Sequence, residues 1–124
     1  MVPKNNENHQ ISFKNAFDGL CYSLRTQPNF RLMVIIGVIV LLASFLLGLS
    51  RIEITIIIAA IFIVILTEMI NTTIESITNL VTHEWRKDAK VTKDVASGMV
   101  LVAVCGSIIV GVLIFGPKLM AIIP

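Results

Sequence analysis

The sequence predicts an all-α integral membrane protein, with an N-terminal amphipathic surface helix followed by three transmembrane helices. Three observations carry that expectation. Of 124 residues, 56% are hydrophobic and 15% charged, with a mean hydropathy of +0.89, against about 45–50% apolar and about 25% charged in soluble domains. A globule this small could not hide so much apolar surface. Finally, two uncharged apolar runs, residues 32–49 and 95–115, are each long enough to cross a bilayer, and a third apolar stretch lies between them.

The elements follow in chain order within a single membrane domain, 1–124. Residues 1–10 are polar and expected to be a disordered tail. Over 11–26, Phe13, Phe17, Leu20 and Leu24 recur at i, i+4, i+7 and i+11, while Lys14, Asn15, Asp18 and Arg25 fall on other faces. That pattern suits a helix lying in the membrane interface, or one that simply packs. Pro28 disfavours helical geometry at Gln27, which places a break there. The first span is expected at 30–49, built on an 18-residue uncharged run about 27 Å long as a helix, close to the roughly 30 Å hydrocarbon core. The second is expected at 54–81, because the apolar stretch 54–67 is too short to cross alone and the helical pattern continues through Ile70, Ile74, Ile77 and Leu80. A cytoplasmic loop is expected over 82–93 and the third span over 94–115, stopped by Gly116-Pro117. No cleavable leader is evident, since the first apolar run starts late.

Charge sets the expected orientation. Eight of the ten basic residues (Lys4, Lys14, Arg25, Arg31, Arg86, Lys87, Lys90, Lys93) precede the first span or join the second to the third; only Arg51 and Lys118 lie on the other side. The N-terminus is therefore expected in the cytoplasm and the C-terminus outside. A net charge of +2 gives no reason to expect nucleic acid as a partner. Cys21 and Cys105, 84 positions apart in apolar segments, read as small hydrophobes rather than a disulfide or metal site.

The informative residues sit on the second span. Glu68, Asn71, Thr72, Glu75 and Asn79 have offsets of 0, 3, 4, 7 and 11, which puts them within roughly 100° of one another on a helix. With helix entry near Ile54, Glu68 lies about 21 Å along and Glu75 about 10 Å further, near the headgroups. A charge at that depth costs on the order of 2.5–3.5 kcal/mol, so the stripe must face protein or a wet cavity. Three helices enclose little interior, which points to a neighbouring chain and a homo-oligomer. Two roles fit the stripe. Asn71 and Thr72 can hydrogen-bond between helices, with protonated glutamic acids as glue. Alternatively, its depth joins a lipid hydroxyl to a soluble nucleotide, with Glu68 as general base and Glu75 as a ligand of Mg²⁺.

A second constellation runs from Ala89 to Gly98. Lys90 and Lys93 can meet phosphate oxygens, where a transferred phosphoryl group needs cations. They also suit plain anchoring at the positive side, and Asp94 can cap its helix or pair with Lys90. Trp85 reads as an interfacial anchor and His83 as a solvated loop residue. The chain has no phosphate loop, no G-x-G-x-x-G, no protein-kinase motif set and no zinc-ligand spacing.

Glu68-Met-Ile-Asn71-Thr-Thr-Ile-Glu75, followed by Ala89-Lys-x-x-Lys93-Asp94-x-Ala-Ser97-Gly98, resembles the small prokaryotic diacylglycerol kinase family, which includes undecaprenol kinases; Gly19-Leu20 and Asn29-Phe30-Arg31 extend the likeness. The resemblance implies an ATP-dependent lipid kinase of the bacterial inner membrane, a homotrimer with active sites shared between chains. It implies Glu68 as the catalytic carboxylate and Asn71 as the amide that orients the site. Glu75 would hold Mg²⁺ at the nucleotide phosphates, Lys93 and Asp94 would contact nucleotide, and Ser97 would lie near the lipid. Gln27 stands where the family usually carries a metal-binding Glu, so its amide oxygen would coordinate without charge. Asn79 stands where the family sometimes has Asp. The expected reaction phosphorylates diacylglycerol or undecaprenol to phosphatidic acid or undecaprenyl phosphate. The alternative is a non-catalytic oligomeric membrane module, transporter-like or lipid-binding, for which Gln27 is the best support.

Overall fold

The structure, a computed structural model, describes residues 13–124; the polar tail and the first two positions of the expected surface helix lie outside the described residues. Four helices follow in order, α1 (Phe13–Thr26), α2 (Pro28–Leu46), α3 (Arg51–Val81) and α4 (Lys87–Met120), with no strand among the described residues. The last three are long and apolar enough to cross a membrane.

The turn between α1 and α2 is made locally. Gln27 is extended (φ −110°, ψ 101°) and Pro28 opens α2, where its fixed φ suits a first helical position and its missing N–H costs nothing. The guanidinium of Arg31 donates to the carbonyl of Arg25 at 3.2 Å, tying the two helix ends across the elbow. The apolar row of α1 stays open: Phe13 and Phe17 are exposed, as an interfacial helix requires.

α2 ends at Leu46, three residues before the expected limit of the first span. Gly48 is the reason: it takes φ +65°, its N–H reaches Phe45 O at 3.2 Å, and the Leu49 N–H reaches Ser44 O at 3.0 Å. This is a Schellman closure, which needs a residue without a Cβ at the left-handed position. Ser50 then caps α3 reciprocally, accepting from the Glu53 N–H at 3.2 Å while the Glu53 carboxylate accepts from the Ser50 N–H at 2.7 Å. That capping box moves the start of the second span back to Arg51.

α4 departs furthest from expectation. It begins at Lys87, so only residues 82–86 remain as loop, and it runs through Gly116-Pro117 to Met120. Asp88 in the first turn complements the helix dipole. Pro117 deletes one N–H, but its φ is helical and so close to the end a single bond is lost; its own carbonyl still accepts from the Ala121 N–H at 3.2 Å. α4 is about 51 Å long and α3 about 46 Å, so both outrun the roughly 30 Å hydrocarbon core.

α3 packs between α2 and α4. Buried Phe30, Gly37 and Ser44 recur every seven residues on α2, and Ile57, Val64, Glu68, Asn71 and Thr78 share one face of α3, the spacing of near-parallel helix seams. α3 and α4 are pinned at both ends, by Lys118 Nζ to Glu53 at 3.4 Å and by Lys93 Nζ to Asn79 Oδ1 at 2.7 Å, so they run antiparallel. At Gly37 an added Cβ would stand 2.9 Å from Ile61 Cγ2, an atom on a stiff β-branched side chain. Gly37→Val is therefore expected to cost about 1–3 kcal/mol of stability. The thermal midpoint in detergent should fall, and adding Ile61→Ala should recover part of the loss.

Candidate functional site

The acidic stripe is assembled by one helix and completed by its neighbours. Glu68 and Asn71 are 3% and 7% exposed, on the same face as the apolar Ile57 and Val64. Thr72 and Glu75, one and two turns on, are half-buried, and Asn79 reaches the surface. The stripe thus climbs from a dry interior to a wet end along one side of α3. Glu75 stands two turns from Glu68 on the same side of α3.

Asn71 Oδ1 is the only buried side-chain nitrogen or oxygen among the described residues without a hydrogen-bond partner. An orphan of this kind costs about 1–3 kcal/mol. Asn71 therefore holds an oxygen ready as an acceptor or ligand one turn from Glu68.

At the wet end, a cleft of about 490 Å³ opens between the end of α3 and the start of α4. Thr78, Asn79, His83, Trp85, Lys90 and Lys93 are among its lining residues. Lys93, half-buried, donates to Asn79 Oδ1, a neutral amide, and forms no salt bridge among the described residues. Asp94 is paired with Lys90 one turn away on α4, and both are exposed.

The structure gathers Glu68, Asn71 and Glu75 on one face, and Lys93 with Asp94 on the cleft. It does not gather Ser97, which is exposed on α4 beside buried Ala96. Gln27 sits half-buried at the elbow and makes no capping bond with its side chain. Thr78, given no role on sequence grounds, is buried on the same face of α3 and lines the cleft.

Among the described residues, no group of three His, Cys, Asp or Glu could hold a metal ion. The oxygens present do fit Mg²⁺, which is usually held by one or two carboxylates with the rest of its shell from water and phosphate. Glu75 offers the carboxylate, and the unpartnered Asn71 Oδ1 and the Gln27 amide offer neutral oxygens.

Three helices long and apolar enough to cross a membrane, with acids recessed in a polar stripe on α3 and a lysine-lined cleft at its mouth, define a multi-pass membrane protein with an acidic site that opens at one end. The chain belongs to the prokaryotic diacylglycerol kinase family, whose sequence pattern matches residues 14–115. It is 35% identical over 113 residues to a protein of Synechocystis sp. named diacylglycerol kinase, covering 90% of this chain and 65% of that one. It is also 40% identical over 108 residues to the undecaprenol kinase of Bacillus subtilis, covering 87% of this chain and 88% of that one. The chain thus spans just under two thirds of the length of the Synechocystis relative.

Proposed function

We propose that this protein transfers the γ-phosphate of ATP to the hydroxyl group of a membrane-embedded alcohol, diacylglycerol or undecaprenol, giving ADP and phosphatidic acid or undecaprenyl phosphate. The observation that carries the reading is the burial of Glu68 at 3% exposure, two turns from a second carboxylate on the same side of a helix long enough to reach from mid-bilayer to water. Glu68 accepts the proton of the lipid hydroxyl as its oxygen attacks the γ-phosphorus. The bond to the β,γ-bridging oxygen breaks, and ADP departs with that oxygen. Asn71, buried one turn from Glu68, orients the site. Lys93 and Asp94 contact the nucleotide from the cleft, and Ser97 is assigned to the lipid side.

Mg²⁺, when bound, neutralises charge on the phosphates; Glu75, with Gln27 at the elbow, would hold it. The amide at Gln27 brings no charge. Gln27→Glu is therefore expected to lower the Mg²⁺ concentration needed for half-maximal activity several-fold. An unchanged Mg²⁺ titration would remove Gln27 from the metal.

The basic residues favour a cytoplasmic N-terminus, with the C-terminus outside, in a bacterial inner membrane. The kinase site then opens toward cytoplasmic ATP. A homotrimer with sites between chains agrees with the thin bundle, in which the most apolar 18-residue stretch of α4 has no buried residue. The two relatives act, by their names, on different alcohols, so the acceptor is decided by assay. Purified chain in detergent with Mg-ATP and either short-chain diacylglycerol or polyprenol should release ADP with one of them. No release with either acceptor leaves a non-catalytic module.

A further inference from the structure

Resting on the kinase reading above, we infer that Lys90 is a second phosphate-binding cation of the cleft, aimed by its ion pair with Asp94. Lys90, Lys93 and Asp94 stand at i, i+3 and i+4 on α4 and line the same cleft, so their side chains leave the helix on one side. Lys93 donates to the Asn79 amide across the cleft. Lys90 is paired with Asp94 Oδ2, and the two side chains are 61% and 62% exposed.

Helix stability does not account for this lysine. An exposed i, i+4 pair contributes little, and the order here, cation before anion, is the weaker one. Lys90 is also the fourth residue of α4, in a first turn where the helix dipole disfavours a cation. Its chemistry suits a ligand better. An ammonium carries three N–H donors, and Asp94 Oδ2 takes one of them. The others can meet oxygens of an anion in the cleft, in bonds that charge strengthens on both sides. Side chains three residues apart on a helix start about 5–6 Å from one another, a spacing that neighbouring phosphate groups of one nucleotide can bridge. Lys90 and Lys93 thus form a pair of cations along one wall, and Lys90 keeps the Asp94 carboxylate from repelling the phosphates.

ATP binding is measured without any acceptor lipid, by equilibrium dialysis of radiolabelled Mg-ATP against the purified chain in detergent, with the thermal midpoint of each variant beside it. Lys90→Met should weaken binding roughly 5- to 30-fold, the scale of a bond between charged groups at an exposed site, and Lys90→Gln should do the same. Lys90→Arg keeps the charge and should retain most of the affinity. The midpoints should stay together, because the pair is exposed. Repeating Lys90→Met in an Asp94→Asn background separates a phosphate contact from mere neutralisation of Asp94. A lysine that binds phosphate still matters there, so the double variant should bind ATP several-fold more weakly than Asp94→Asn alone. Equal affinities for those two proteins overturn the inference, as does unchanged ATP binding in Lys90→Met and Lys90→Gln. The kinase reading fails separately, if the unmodified chain binds ATP but releases no ADP with either acceptor; the dialysis then still decides the role of Lys90. A chain that binds no ATP overturns both.

Discussion

Glu68→Gln is expected to lower kcat by roughly 10²- to 10⁴-fold, the range a positioned general base contributes, while the helices and the assembly remain intact. The substitution keeps size and hydrogen-bonding capacity but removes the carboxylate that accepts the proton. Glu68 is buried at 3% exposure, so the exchange also takes a potential charge out of a costly place. Stability should hold or rise. That pairing of outcomes separates the two roles open to the acid. A catalytic base, once removed, leaves a well-assembled and inactive protein. An interhelical glue, once altered, leaves a dissociated one. ADP release and size-exclusion chromatography on the same preparation read both.

The second large effect is expected at Lys93→Met. Nζ lies 2.7 Å from the Asn79 amide, at the cleft where α3 ends and α4 begins. Methionine retains most of the aliphatic stem and deletes the charge, so a charge-assisted contact to phosphate is lost. KM for ATP should rise roughly 10- to 100-fold, with kcat falling as well because the developing charge loses a cation. Little stability is at stake, since Asn79 is exposed and water replaces its partner. Asn79→Ala should cost far less, because it frees the ammonium without discharging it. If the ATP dependence of Lys93→Met matches that of the unmodified chain, Lys93 is a helix tie and not a nucleotide ligand.

The order of a surface helix and three spans was legible because membrane crossing demands long apolar runs, and these are visible without a fold. The acidic stripe was legible for the same reason: acids and amides at helical spacing inside such a run are conspicuous. Helix ends were read less well. Residues 87–93 look like loop by charge, yet they are helical, with Lys93 bonded to α3 and Lys90 paired with Asp94. Pro117 reads as a stop, yet a proline in a last turn costs only one bond.

The sequence alone determined that this chain lives in a membrane, that it crosses three times, and that one helix carries acids where acids are expensive. Those conclusions follow from transfer free energy and helical periodicity, which depend only on neighbours within a few turns. Only the tertiary structure decided which groups meet. It left Asn71 Oδ1 without a partner among the described residues, joined Lys93 to Asn79 and turned Ser97 outward. Each of these depends on how helices far apart in the chain lie against one another, and side-chain packing between helices sets that arrangement.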